Sequence, residues 1–192
     1  MSKPITLFGF APSTYTRSAR MACIEAGVAH QLAPLEFKQP SHLALHPFGK
    51  MPALSHGDVV LYETLAICSY VDSLAAGELL GGDDALARAR VLGWCSVAID
   101  YSYPALVSPL HDERIAAEAR AAARAHLETL DGLVDEATFL VGGAPTLADL
   151  MLYPMVEFAA GKLGASAFEG LPSLLRWRAA VADRPCARQT AP

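Results

Sequence analysis

The feature that constrains the fold most is a change of sequence pattern at about residue 83. Before it, short apolar segments typical of strands alternate with helical patterns. After it the strand signals stop, and segments rich in Ala, Leu, Arg and Glu predict helices at about 85–110, 113–137, 147–161 and 172–183. We therefore expect an α/β domain followed by an all-α domain, a helical bundle.

The part before the change has an ordered series of predicted elements. ITLFGF predicts a buried strand, TRSARMACIEAG a helix that ends at Gly27, and HQLAPLEF a second strand. MPALSHGDVVLYE predicts a hairpin around Gly57, and TLAICSYVDSLAAG predicts another helix. Glycines at 77, 81 and 82 predict a linker at 78–83, so the expected domains are 1–77 and 84–192.

Composition argues against several classes of function. The net charge is −5, with both signs mixed along the chain, and no basic stripe suggests a nucleic-acid partner. The four cysteines form no CxxC pair, so we expect no metal site. No run of about 20 apolar residues predicts a membrane span, and MSKPITLFGF does not resemble a signal peptide. We therefore expect a cytoplasmic protein.

Four motifs, in order, together resemble the cytosolic glutathione transferase family. APSTYTRSARMACIEAG resembles its loop and first helix with the catalytic serine, and HPFGKMPAL its Asn-Pro-Phe-Gly-Gln-Val-Pro segment. LYETLAICSYV resembles its Glu-Ser-x-Ala-Ile segment, and PTLADLMLYP the helix-capping motif of its second domain. The nearest class is serine-type and phi-like. The resemblance implies a thioredoxin-like N-terminal domain, glutathione as co-substrate without another cofactor, and a homodimer.

The resemblance implies that Ser13 activates the glutathione thiol. A free cysteine thiol has a pKa of about 8.5, and the thiolate is the nucleophile. A hydroxyl before a helix can donate to the sulfur while the helix N-terminus adds positive potential. Serines also cap helices routinely, and Thr14, Tyr15 or Thr16 takes the role if the alignment slips. A serine rather than a cysteine at this position argues against mixed-disulfide chemistry.

The resemblance also assigns the glutathione contacts. Pro52 is expected to follow a cis peptide bond, so that the backbone of Met51 faces the cysteinyl part of glutathione. Thr64 and the amides at the start of its helix are expected to bind the γ-glutamyl carboxylate, with Glu63 beside the α-amine. Capping and complementation of the helix dipole alone would also explain these two residues.

The glycyl carboxylate is assigned to Lys38 and Lys50. Exposed lysines are usually only solvated, which is the alternative for both. Family members often have His-Lys where this chain has Phe37 and Lys38, and Phe37 cannot hydrogen-bond the glycyl end. We therefore expect either weaker binding of glutathione or a larger contribution of Lys38 to the contact with the glycyl carboxylate.

The second substrate is expected between the domains. Tyr101, Tyr103 and His111 are candidates to line its pocket, although aromatic residues at helical spacing more often belong to a core. Phe48 matches an aromatic residue that contacts the partner subunit in some classes, and an ordinary loop aromatic is the alternative. In PTLADL, Thr146 and Asp149 predict a structural capping box.

The function that we expect is attack of the glutathione thiolate on a small hydrophobic electrophile. A non-catalytic protein of the same fold that binds glutathione or another ligand is one alternative, motivated by Phe37 and by the capping role open to Ser13. A glutathione-dependent isomerase or dehalogenase is another. The sequence does not identify the electrophile.

Overall fold

The structure is a computed structural model that describes residues 4–112, 114–134 and 136–192. It contains two compact units. The first extends to Gly82 and includes Pro185–Pro192, and the second is Asp83–Arg184. The division falls at the end of the linker expected at 78–83. The C-terminal segment, in contrast, groups with the first unit and not with the helical one.

The first unit is a small mixed sheet with helices. Its strands are β1 (Ile5–Phe8), β2 (His30–Ala33), β3 (Ala53–His56) and β4 (Val59–Tyr62). Its helices are α1 (Thr14–Glu25), α2 (Pro40–Leu45) and α3 (Thr64–Ser73), and near the C-terminus α9 (Pro185–Gln189). The strand order is β2-β1-β3-β4, with β1 and β2 parallel and the other two pairs antiparallel. The predicted strand–helix–strand, hairpin and helix order is confirmed.

The core of the first unit lies where β1 and β3 meet the helices. Leu7 and Leu54 pair across β1 and β3, and both are fully buried. Met21 of α1 and Ile67 of α3 are fully buried as well, and these two helices pack together. Each such side chain contributes roughly 1.5–3 kcal/mol through burial.

The C-terminal helix α9 packs on α1. The buried guanidinium of Arg17 donates from Nη2 to the carbonyl of Ala187 at 3.2 Å and from Nε to Oγ1 of Thr190 at 3.3 Å. These contacts explain why the segment groups with the first unit. The last helix predicted from the sequence ends at about residue 183, and the local pattern after it indicates neither α9 nor a partner about 170 residues away.

The second unit is helical, as predicted. Its main helices are α4 (Ala85–Ser96), α6 (Ala117–Leu133), α7 (Leu147–Leu163) and α8 (Pro172–Ala182). The segment predicted as one helix at 85–110 instead continues after α4 as a π-helix (Val97–Ser102), the short α5 (Tyr103–Leu106) and a 3₁₀ turn (Ser108–Leu110). Glu113 and Asp135, within the helix expected at 113–137, lie outside the described residues.

The start of α7 contains the predicted capping box. The Asp149 carboxylate accepts from the Thr146 backbone N–H at 2.8 Å, which is the expected reciprocal bond. It also accepts from Trp177 Nε1 and the backbone N–H of Leu140, at 2.8 and 2.9 Å. Burial raises the pKa of Asp149, and these hydrogen bonds oppose that shift. Through Trp177, the capping box thus also connects α7 to α8.

Along the described stretches of the chain, no helix combines the length and apolarity needed to cross a membrane.

Candidate functional site

The predicted glutathione-site residues of the first unit are brought to one edge of the sheet by the strand register. Phe8, the last residue of β1, pairs with Ala33 at the end of β2 and with Ala53 at the start of β3. Ala53 in turn pairs with Tyr62 at the end of β4. All four strands therefore end or begin along one row.

Each predicted contact residue follows or precedes that row in the sequence. Ser13 comes after β1, and Lys38 comes after β2. Met51 and Pro52 directly precede β3, and Glu63 directly follows β4. Residues separated by up to 50 positions thus belong to segments that leave or enter the sheet at the same edge.

Ser13 is the N-cap of α1. It has extended backbone angles, φ −65° and ψ 125°, and its half-buried Oγ accepts from the Thr16 backbone N–H at 3.3 Å. Among the described residues nothing accepts the Ser13 hydroxyl proton, so Oγ can cap the helix and still donate to a ligand. The predicted capping role and the predicted catalytic role are therefore compatible.

Two of the three neighbouring hydroxyl side chains are less accessible than Ser13, whereas Tyr15 is half-buried, as Ser13 is. Thr14 is buried, and Thr16 is fully buried. Gly9 explains how the first turn of α1 approaches β1 so closely, because a Cβ at Gly9 would lie 2.4 Å from Oγ1 of Thr16. The sequence contains Gly9 in ITLFGF, but only the packing shows why a side chain is excluded there.

The Met51–Pro52 peptide bond is cis, as the resemblance implies. Met51 is half-buried and Pro52 is buried. Pro52 immediately precedes β3, outside the strand itself, so its missing N–H removes no ladder bond from Ala53–His56.

Glu63 begins α3 in a strained conformation. Its φ of 69° and ψ of 120° are unfavourable for any residue with a Cβ and cost roughly 1–3 kcal/mol. Its side chain is 66% exposed and makes no capping hydrogen bond to the helix. The first turn of α3, beginning at the buried Thr64, therefore presents backbone N–H groups without a side-chain cap, which is the arrangement that binds anions.

His46 lies beneath Glu63 and received no role from the sequence. Its ring is 2% exposed, and Nε2 is 3.9 Å from Oε1 of Glu63. Burial lowers the pKa of His46, although the Glu63 carboxylate opposes the shift. Within the described part of the chain, its buried Nδ1 has no hydrogen-bond partner. The ring is therefore a neutral neighbour of Glu63 at pH 7.

The two predicted lysines lie on exposed loop positions. Lys38 has a positive φ of 63°, and its Nζ is 5.5 Å from the centroid of the Phe37 ring. Phe37 is 44% exposed, and its ring centroid is 6.2 Å from that of Phe10. Lys50 is exposed in the loop before β3.

A buried histidine connects the two lysine loops and was also missed. His42 of α2 accepts from the Lys38 backbone N–H at Nδ1, and its Nε2 is 2.7 Å from the Lys50 carbonyl. The only sequence signal was a histidine between the two lysines, within KQPSHLALHPFGK.

The residues predicted for the second substrate lie in the second unit. Tyr101 is exposed in the π-helix, and Tyr103 is half-buried at the start of α5. His111 is exposed, with its ring centroid 4.9 Å from that of Phe158. Their role in a pocket stays a prediction.

Phe48 lies in the first unit. It is 72% exposed and contacts the rings of His46 and Tyr62, with centroids 6.4 and 6.3 Å away. Its role at a dimer interface stays a prediction.

Comparison with known proteins agrees with this architecture. The family model for the glutathione S-transferase N-terminal domain matches residues 3–73, and that for the C-terminal domain matches residues 113–180. Glutathione S-transferase 4 of Zea mays is 29% identical over 97% of this chain and 92% of its own length.

Two solved structures are similar over nearly the whole chain. Glutathione S-transferase-I bound with lactoylglutathione has a TM-score of 0.88 and 27% identity, over 98% of this chain and 99% of that one. Glutathione S-transferase I from mais with an atrazine glutathione conjugate has a TM-score of 0.87 and 26% identity, over 98% and 96%. With both domain models matched in order, this chain belongs to the glutathione S-transferase family.

Proposed function

We propose that this protein is a glutathione transferase in which Ser13 stabilises the thiolate of bound glutathione for attack on a small hydrophobic electrophile. The observation that carries the proposal is the position of Ser13. It caps α1 at the sheet edge where the loops of the predicted glutathione contacts meet, and it keeps its hydroxyl proton available.

Ser13 lowers the thiol pKa by favouring the charged form. The thiol proton leaves to solvent, and the Ser13 hydroxyl then donates a hydrogen bond to the sulfur anion. A pKa decrease of two units needs about 2.7 kcal/mol of differential stabilisation. One charge-assisted hydrogen bond of roughly 1.5–3 kcal/mol, with the positive end of the α1 dipole, supplies that amount.

The remaining groups bind glutathione along its length. The uncapped first turn of α3, with Thr64, takes the γ-glutamyl carboxylate, and Glu63 takes the α-ammonium. The backbone of Met51, held by cis Pro52, pairs with the cysteinyl unit.

The rest of the proposal follows the family resemblance. Lys38 and Lys50 attract the glycyl carboxylate. The electrophile binds near Tyr101, Tyr103 and His111. The protein is a cytoplasmic homodimer with Phe48 at its interface, and glutathione is its co-substrate without a further cofactor.

The proposal is tested by the thiolate ultraviolet absorbance of glutathione, titrated with pH in the presence of each variant. The wild type and Ser13→Thr, which keeps the hydroxyl, should lower the thiol pKa. Ser13→Ala should return it toward about 8.5 and reduce kcat/KM at least tenfold. Ser18→Ala is the matched control, because Ser18 in the same helix donates to the Thr14 carbonyl at 3.1 Å.

Calorimetry with glutathione separates binding from activation. Unchanged turnover and an unchanged thiol pKa in Ser13→Ala would contradict the role of Ser13. Glutathione binding by the wild type without a shifted thiol pKa would favour a non-catalytic glutathione-binding protein. If the protein turned over isomerase or dehalogenase substrates and conjugated none, the proposed activation of the thiolate would stand. The proposed conjugation reaction would then be wrong.

A further inference from the structure

His42 bridges the loop that carries Lys38 and the loop that carries Lys50. The Lys38 backbone N–H donates to Nδ1 at 2.9 Å, and Nε2 lies 2.7 Å from the Lys50 carbonyl oxygen. An N–H can only donate and a carbonyl can only accept, so Nδ1 is the acceptor and Nε2 carries the proton. The geometry therefore requires the neutral imidazole with its proton on Nε2.

The bridge is buried and restrained on both sides. His42 is 1% exposed, and its ring lies 5.4 Å from the Phe37 ring, with 31° between the planes. Lys38 has a φ of 63°, a conformation that costs a residue with a Cβ of order 1 kcal/mol or more. The hydrogen bond that the Lys38 N–H donates to the buried His42 ring stabilises that conformation.

The two backbone positions that His42 contacts are those of Lys38 and Lys50, whose side chains are long and flexible cations. Both lysine side chains extend from exposed positions, and a lysine on a mobile loop loses much side-chain freedom when it orders on a ligand. Fixing the backbone at both ends removes part of that cost before the ligand arrives. His42 is too buried to touch glutathione itself, so it acts through the lysines.

We propose that His42 is a positioning residue that sets Lys38 and Lys50 at the spacing required by the terminal glycyl carboxylate. It thereby makes the site select a thiol peptide with that carboxylate over a shorter thiol. This inference rests on the proposed function. It adds the residue responsible for discrimination at the glycyl end, where Phe37 supplies no hydrogen bond.

The experiment compares glutathione with γ-glutamylcysteine, which lacks the glycyl unit. Dissociation constants, kcat and KM are measured for both thiols with the wild type, His42→Leu, His42→Gln and His56→Leu. His42→Gln retains an acceptor and a donor on one side chain. His56→Leu is the matched control, because it removes an imidazole of the same unit whose Nδ1 lies 2.9 Å from the Tyr70 hydroxyl, and neither of the two lysines is its partner in that bond.

The wild type should prefer glutathione. His42→Leu should lose at least tenfold of that preference through a higher KM and dissociation constant for glutathione, with values for γ-glutamylcysteine and kcat at saturation unchanged. His42→Gln should recover part of the preference, and His56→Leu should keep all of it. If His42→Leu does not fold, His42→Asn replaces it, since its shorter amide reaches only one loop.

Three results would overturn the inference. One is a preference that His42→Leu or His42→Asn retains in full. Another is an equal loss for both thiols, as general destabilisation would produce. The third is a wild type that binds both thiols equally. None of these three results contradicts the proposed activation of glutathione by Ser13. If the wild type bound neither thiol, the proposed function would be contradicted as well.

Discussion

The N-termini of α3 and α7 differ in how their polar groups are satisfied. At α7, Asp149 is fully buried, and its carboxylate accepts from the backbone N–H groups of Leu140 and Thr146, from Thr146 Oγ1 and from Trp177 Nε1. At α3, Glu63 is exposed, has a positive φ and caps nothing. A satisfied start stabilises the fold, whereas an unsatisfied and strained start leaves backbone donors for a ligand.

The largest effect that we expect is on stability, at α7. Asp149→Ala leaves the indole N–H of Trp177 and the amide of Thr146 buried without an acceptor, and each such donor costs roughly 1–3 kcal/mol. The free energy of unfolding, measured by chemical denaturation, should fall by more than about 3 kcal/mol.

Asp84→Ala is the matched control for this prediction. Asp84 also caps a helix in the second unit, accepting from Leu86 and Ala87 at 2.8 and 3.1 Å, but it is exposed. Its loss should cost only about 1 kcal/mol. If the free energy of unfolding fell equally in the two variants, the burial of Asp149 and its additional hydrogen bonds would contribute no more stability than an exposed helix cap does.

The structural features that could be predicted from the sequence are those that depend on local patterns or on the family motifs. The strands around Leu7 and Leu54, the hairpin at Gly57 and the reciprocal bond between Asp149 and Thr146 each depend on residues close together in the chain. The cis bond before Pro52 came from the motif. These features need no knowledge of distant contacts.

The features that the sequence missed depend on residues far apart or on competition between helix types. Trp177 reaches Asp149 from another helix, and Arg17 reaches Thr190 across 173 positions. The π-helix at Val97–Ser102 lies within the segment predicted as one helix at 85–110, because a helical sequence pattern does not specify which hydrogen-bond spacing the backbone adopts. No residue pattern indicates the His42 bridge, because both of its hydrogen bonds are to backbone atoms.

The second effect separates stability from binding at α3. Glu63→Gly permits the observed φ of 69° without a Cβ, so it should stabilise the protein by about 1 kcal/mol. It also removes the carboxylate proposed for the α-ammonium, so glutathione affinity should fall at least tenfold. Denaturation and calorimetry on the same preparation measure both changes.

Glu63→Gln sharpens this result. It keeps the strained backbone and removes only the charge, so stability should stay near that of the wild type while affinity falls as in Glu63→Gly. If glycine destabilises the protein, the strain argument is wrong. If glutamine retains full affinity, the assignment of the carboxylate to the ligand is wrong.

The smallest effect concerns pH and the histidine below Glu63. Burial lowers the pKa of His46, so below about pH 6.5 the unfolded chain binds more protons than the folded chain. The stability is therefore complete above that pH and decreases as the pH falls toward the folded pKa, by at most about 1.4 kcal/mol per pH unit for one histidine. Burial also lowers the pKa of His30 and His126, so they contribute to the same decrease.

His46→Asn isolates the part that belongs to the α3 start. Asparagine is the residue at this place in the family motif that HPFGKMPAL resembles, and it does not titrate. Denaturation curves between pH 7 and 5 should show a shallower loss of stability in the variant, while His126 and His30 continue to contribute the remainder. A variant with the slope of the wild type would mean that His46 becomes protonated in the folded state as easily as in the unfolded one. The Glu63 carboxylate, 3.9 Å from Nε2, would then offset the burial of the ring, and this helix start would be electrostatically satisfied after all.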